Sequence, residues 1–180
     1  KNNPALSSRV ISEACFSGRG TSFCPGGVTE SIAENSALPC NYYKCDHGTH
    51  VAGIVAANGV QGTGVAKDSG LIAIQVFHLT SLGIISASDS DIIKGLERVY
   101  ELRNVFNISS VNLSLGGSTL YSDSFDAGNS SIKTAVDLLR SAGIATVIAS
   151  GNNSSIIGIT SPACISTAVS VGASTDSDAV

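Results

Sequence analysis

The sequence predicts an α/β fold, a parallel sheet with helices on both faces, and three observations carry that reading. Two near-continuous apolar runs of strand length, residues 71–77 and 144–149, have the composition of strands buried on both faces. Segments with apolar residues at helical spacing lie between the strand-like runs, the order expected of right-handed crossovers. Two of the strands also leave into polar, Gly-rich loops, at Gly116-Gly117 and at Ser150-Gly151-Asn152-Asn153. In such sheets ligands meet the carboxyl ends of the strands, so these two loops are where a site is expected.

Taken in chain order, residues 1–46 read as loop with short extended pieces, rich in Gly, Pro and Ser. From Thr49 the run Val51-Ala52-Gly53-Ile54-Val55-Ala56-Ala57 is helical in composition and stops at Asn58-Gly59. The first buried strand follows Asp68-Ser69-Gly70. Residues 91–103 place Ile92, Leu96, Val99 and Tyr100 on one helical face, with Ser and Asp before them as caps. Val111-Asn112-Leu113-Ser114-Leu115 alternates as a strand. Residues 131–142 put Ile132, Ala135, Val136 and Leu139 on one face, with Gly143 as the stop. After the strand at 144–149, residues 168–173 form the last. No repeat or linker divides the chain, and its 180 residues suit a single domain.

Composition narrows the class. Apolar residues make up 43% and charged residues 13%, which excludes a disordered chain. The net charge is −4 and the ten Lys and Arg are scattered, so nucleic acid is excluded as a partner. No apolar run approaches the ~20 residues that would span a bilayer. Four of five cysteines, Cys15, Cys24, Cys40 and Cys45, fall in the irregular first quarter. They read as disulfides stapling a secreted segment rather than as reduced cytosolic thiols. Sequential pairs, Cys15–Cys24 and Cys40–Cys45, close short loops without tying the core. Cys164 reads as a buried free thiol.

The chemistry is concentrated in Cys45-Asp46-His47-Gly48-Thr49-His50-Val51-Ala52-Gly53. Two histidines at i and i+3 at the mouth of a helix could be metal ligands, a proton-transfer pair or satisfied structural histidines. No third ligand stands at a metal spacing, so no metal site is assigned. Gly48 and Gly53 are expected to let other backbone come close.

With Gly64-Val65-Ala66, Val111-Asn112-Leu113-Ser114-Leu115-Gly116-Gly117, Ala149-Ser150-Gly151-Asn152, Ser161-Pro162-Ala163 and Val169-Ser170-Val171-Gly172-Ala173 in this order, the chain resembles the subtilisin-like serine peptidases. The resemblance covers nearly everything from Cys45 onward, and reaches the first 44 residues only at Asn3-Pro4-Ala5-Leu6. It implies a three-layer sandwich, here incomplete, and a monomeric, secreted endopeptidase acting on extended polypeptides. His47 matches the general base, which takes the serine proton and returns it to the leaving amine. His50 matches a second, supporting histidine. Asn152 matches the oxyanion donor. Ser114, Leu115 and Gly116 match the strand that pairs with substrate. Ala149, Ser150 and Gly151, with Pro162 and Ala163, match the walls of the primary specificity pocket. Pro162 is expected to follow a cis bond.

The chain also departs from that pattern. The family's catalytic order is Asp, His, Ser. The matching aspartate strand would precede residue 1 and the Gly-Thr-Ser nucleophile would follow residue 180. Lacking both, and with no initiator Met, the sequence reads as an internal portion that is inactive alone. Gly20-Thr21-Ser22 precedes the histidine with no helix pattern after it, and Asp46 is too close in sequence to orient His47, so neither substitutes. The loop from Asn58 to Gly64 is short for the family's usual calcium site, so no cofactor is assigned, although calcium with unknown ligands stays open. The N-x-Ser/Thr triplets at Asn107, Asn112, Asn129, Asn152 and Asn153 are what an Asn- and Ser-rich chain gives by chance. Two further readings remain: a non-catalytic relative that binds extended peptides, and a His-ligated metal hydrolase.

Overall fold

The computed structural model describes residues 2–59, 62–175 and 177. The chain divides into two compact units, Lys1–Gly95 and Leu96–Val180.

The first unit is organised by β1 (Val10–Phe16), which pairs in parallel with β6 (Leu71–Gln75). Only short extended pieces are expected here from the sequence, yet Ala14, Cys15 and Phe16 are buried. The signal is the apolar Val10-Ile11 and Ala14-Cys15-Phe16 flanking a polar Ser12-Glu13. Glu13 sits inside the strand, 8% exposed, and accepts from the backbone N–H of Asn35 at 2.8 Å. That bond offsets the cost of burying a carboxylate. Short strands β2 (Thr21–Ser22) and β3 (Glu30–Ser31) follow, β3 pairing antiparallel with β1. The disulfide Cys15–Cys24 ties β1 to the loop beyond β2, with its Cα atoms 5.6 Å apart.

Helix α1 (His47–Ala56) ends at β4 (Asn58–Gly59), which pairs with β5 (Gly62–Thr63). A helix leaves its last carbonyls without intrahelical donors. Here Val65 and Ala66 donate to the carbonyls of Ile54 and Val55 at 3.0 and 2.7 Å, and Gly64 donates to Ala57 at 2.8 Å. A Cβ on Gly64 would lie 2.5–2.7 Å from backbone atoms of Val55, Ala56 and Ala57, so only glycine allows this approach. At Gly48 and Gly53 a Cβ would meet nothing within 4 Å among the described residues. Among the described residues the close approach near α1 is made by Gly64.

β6 is half-buried along its length, and among the described residues it pairs with β1 alone. The apolar run 71–77 is broken at Val76, and β7 (Phe77–Leu79) turns to pair antiparallel with β2 and with β8 (Ile85–Ala87). Helix α2 (Asp89–Leu102) runs across the boundary between the units. At its start the Ser88 hydroxyl donates to the buried Asp91 carboxylate, which also accepts from the Gly18 N–H at 3.1 Å. Ser88 and Asp91 thereby combine a cap with a tie to the loop after β1.

In the second unit β9 (Ser110–Leu113), β11 (Ala145–Ala149) and β13 (Val169–Val171) form a parallel sheet in the order β13-β11-β9. A two-stranded antiparallel pair joins β10 (Leu120–Tyr121) to β12 (Ile159–Thr160). Helix α3 (Ser130–Ser141) is the crossover between β9 and β11, and buries Ile132, Ala135, Val136 and Leu139, the face its periodicity marks. Observed ends differ from the sequence reading by at most two residues. The parallel pairings β1–β6 and β9–β11–β13, alternating with helices, are the predicted α/β class. Residues 60 and 61 of the loop weighed for calcium, and residues 176 and 178–180, lie outside the described residues.

Candidate functional site

His47 lies in the first unit as the first residue of α1, with its side chain exposed. Its N–H donates to the carbonyl of Lys44 at 3.3 Å, and His50 donates to Asp46 at 3.0 Å. Asp46 is the N-cap residue, but its carboxylate makes no cap bond. The segment before the helix is anchored at several points. Cys45 is bonded to Cys40, with Cα atoms 5.4 Å apart, and its N–H donates to Tyr42. The Tyr42 hydroxyl donates to Gly83, and its ring lies 6.3 Å from that of Phe23. Tyr42, Tyr43 and Asp46 line a shallow surface cavity beside the disulfide. Ser22 stands in β2, its hydroxyl donating to the Val28 carbonyl, with no helix behind it. Among the described residues no three His, Cys, Asp or Glu side chains gather at one point.

The remaining site residues belong to the second unit. β9 and β11 are adjacent and parallel, with Leu113 opposite Ile148. Ser114-Leu115-Gly116 and Ser150-Gly151-Asn152 therefore leave the sheet at the same, carboxyl, end. The Ser150 N–H donates to Val171 at 2.9 Å, and its carbonyl accepts from the N–H of Thr160 at 2.8 Å. The Ser161-Pro162 bond is cis, the Ser161 carbonyl accepts from the Gly117 N–H at 2.8 Å, and Pro162 and Ala163 are buried. Three separated segments are thus stitched into one end of the unit. Asn152 is exposed, whereas Asn153 donates to the Ser118 carbonyl at 3.2 Å. Ser114 accepts from the Asn112 amide at 2.9 Å.

Thr160, which sequence reasoning passes over, is the side chain these loops share. It is fully buried, and its hydroxyl reaches the Ser150 carbonyl. A Cβ on Gly116 would come within 2.7 Å of that hydroxyl oxygen, and one on Gly151 within 2.8 Å of the Thr160 methyl. Gly151 also has φ +123°, a backbone conformation open to glycine. Asn129 is the second addition. As N-cap of α3 it makes no cap bond; its amide instead donates to Phe125 at 2.7 Å and accepts from the Ser161 hydroxyl. The helix start is so fixed to the cis-proline loop. The buried free thiol of Cys164 lies 3.5 Å from the same amide.

Charge around this frame is held by carboxylates. Backbone and side-chain hydrogen bonds from Ser166 keep the Asp126 carboxyl below its usual range. Hydrogen bonds from Lys133 and then Thr167 do the same for Asp137.

The chain is similar to known proteins. The chain is 36% identical over 137 residues to the subtilase-type proteinase psp3 of Schizosaccharomyces pombe, covering 74% of this chain and 27% of that protein. It is 34% identical over 143 residues to an extracellular serine proteinase of Thermus sp. (strain Rt41A), covering 79% of this chain and 30% of that one. Among solved structures, Sphericase superposes with a TM-score of 0.64 at 26% identity, over 93% of this chain and 47% of its own. The chain spans roughly 30% of the length of these two curated relatives. The subtilase family model matches residues 28–180, which takes in His47, both Gly-rich exits and the cis-proline loop. The chain belongs to the subtilase family.

Proposed function

We propose that this chain is the central part of a secreted serine endopeptidase that hydrolyses peptide bonds in extended polypeptides. His47 is the general base, and Asn152 donates its amide to the tetrahedral oxyanion. Ser114, Leu115 and Gly116 offer backbone to the substrate as an added strand, and Ala149–Gly151 with Pro162 and Ala163 wall the primary specificity pocket. The observation that carries this reading is the joint exit of Ser114–Gly116 and Ser150–Asn152 from adjacent parallel strands, braced by Thr160 in a chain of the subtilase family. Rigid support of this kind is what an oxyanion donor and a pairing strand need, since small misplacements are costly.

The base needs a hydroxyl to deprotonate and a carboxylate to fix its tautomer. The reading draws both from segments outside these 180 residues, an Asp on the strand before β1 and a Ser after β13. The exported location is supported by two disulfides and by a relative whose name is extracellular. No described helix is long and apolar enough to cross a membrane.

A peptide-hydrolysis assay comparing the isolated chain with the longer parent tests this. The isolated chain is expected to be inactive, and the parent to show turnover that serine-directed inhibitors block. Turnover by the isolated chain would mean that a nucleophile lies within it. A parent that binds extended peptides without cutting them, and lacks the Asp or Ser, would support the non-catalytic relative instead.

A further inference from the structure

Five N-x-Ser/Thr triplets occur in the chain, and the fold treats them very differently. Attachment of a glycan needs the Asn side-chain nitrogen to project into solvent once the chain is folded. Asn129 is buried, with its amide committed to Phe125 and Ser161. Asn112 lies within β9, its amide donating to Ser114, and Asn153 donates to Ser118. Asn152 follows Gly151, in the loop braced by Thr160, and a glycan on its amide would fill the candidate site.

Asn107 differs from all four. It stands between α2 and β9 in a segment without regular structure, and is exposed. The backbone around it is fixed: Phe106 donates to the Leu102 carbonyl at 2.9 Å, and the Ser109 carbonyl accepts from Ala145 at 3.2 Å. Ser109, the hydroxyl of this triplet, is exposed as well. Two residues before Asn107, Val105 is 68% exposed, an apolar side chain that an attached glycan would shield. Chance explains the other triplets; here geometry and sequence agree.

We propose that Asn107 is an N-glycosylation site, used when the chain passes through a eukaryotic secretory pathway. This rests on the secreted reading given above. In the transfer, the Asn107 amide nitrogen bonds to C1 of a lipid-pyrophosphate-linked oligosaccharide. The C1–O bond to the pyrophosphate breaks, the lipid pyrophosphate leaves, and the displaced amide proton goes to the enzyme's base. The glycan would stand at the amino end of β9, whereas the candidate site stands at its carboxyl end. Four strand residues at ~3.3 Å each put roughly 13 Å between those ends, so the attachment point is at the end of β9 away from the candidate site.

The test expresses the longer parent behind a heterologous signal peptide in a eukaryotic host, so that entry does not depend on its own leader. Intact mass is read before and after a glycan-removing amidase. The expected result is an oligosaccharide on the peptide that holds Asn107, with Asn107 converted to Asp on its removal. N107Q and S109A should lower the intact glycosylated mass by one oligosaccharide, S109T should keep it, and N107Q should leave kcat/KM unchanged. Protein that enters the pathway with Asn107 unmodified, or an intact mass that N107Q does not lower by one oligosaccharide, overturns the assignment. Parallel expression with the native leader tests secretion by itself: retention in the cell would refute the secreted reading while the acceptor result stands.

Discussion

Replacing Gly116 with Ala tests whether Thr160 braces the candidate site. The new Cβ would lie 2.7 Å from the Thr160 hydroxyl oxygen, against an ordinary contact of 3.4 Å or more. Relief requires about 0.7 Å of movement, and Thr160 has little room to give. It is fully buried, and both its N–H and its hydroxyl are bonded to the Ser150 carbonyl. Overpacking of this kind costs roughly 1–3 kcal/mol. Thr160→Ala removes the clashing oxygen and the methyl that faces Gly151, at about 1–2 kcal/mol for the lost hydrogen bond and packing. Because the two changes meet at one contact, the double variant should cost less than their sum by about 1 kcal/mol or more. Urea unfolding of the parent, its two single variants and the double variant measures all four corners. G116A should also raise KM for extended peptides, since the displaced backbone is the strand proposed to pair with them. Strict additivity, or a G116A cost below about 0.5 kcal/mol, would refute the bracing.

The same unfolding assay checks three further expectations. Removing either disulfide by paired Cys→Ala substitution should cost about 2–3 kcal/mol, since the bridges close loops with sequence separations of 9 and 5. Gly64→Ala should destabilise by roughly 3 kcal/mol because its Cβ meets only backbone of the α1 end. Asp126 and Asp137 have carboxyls lowered by their hydrogen bonds, so the stability they contribute is full above the unfolded value of 3.8 and is lost as pH falls through the lower folded values. The stability gap between the parent and D126N should therefore be constant at neutral pH and close only in strong acid; a gap that closes near pH 6 contradicts the assignment.

Much of the second unit is legible in the sequence because local signals there agree with the fold. The i, i+3, i+4 pattern of Ile132, Ala135, Val136 and Leu139 marks the buried face of α3. The alternation at Val111-Asn112-Leu113 and the apolar run before Ser150 mark β9 and β11, and their Gly-rich exits mark the candidate site. Other features depend on contacts between residues far apart in sequence. β1 is hidden in a Cys- and Ser-rich lead-in because its partner β6 begins 61 residues after Val10. Thr160 resembles any Thr in a short strand until folding sets it against Gly116 and Gly151. Asn129 has the composition of an ordinary N-cap, and only the fold diverts its amide to Phe125 and Ser161. Nor does the motif around α1 foretell Gly64: among the described residues nothing approaches Gly48 or Gly53, and the loop after β5 returns Gly64, Val65 and Ala66 to the helix end.

The most direct test of the central claim is steady-state hydrolysis of a peptide substrate by the longer parent, its His47→Ala variant and its Asn152→Ala variant. If His47 is the base, H47A should lose activity to near the level left by binding and the oxyanion donor alone, with KM little changed. If Asn152 is the oxyanion donor, N152A should lower kcat by roughly 10²–10³, the figure measured for loss of such a donor in a subtilisin, again with little effect on KM. A parent whose kcat is indifferent to His47→Ala, or an Asn152→Ala variant whose whole loss falls in KM, would contradict the account.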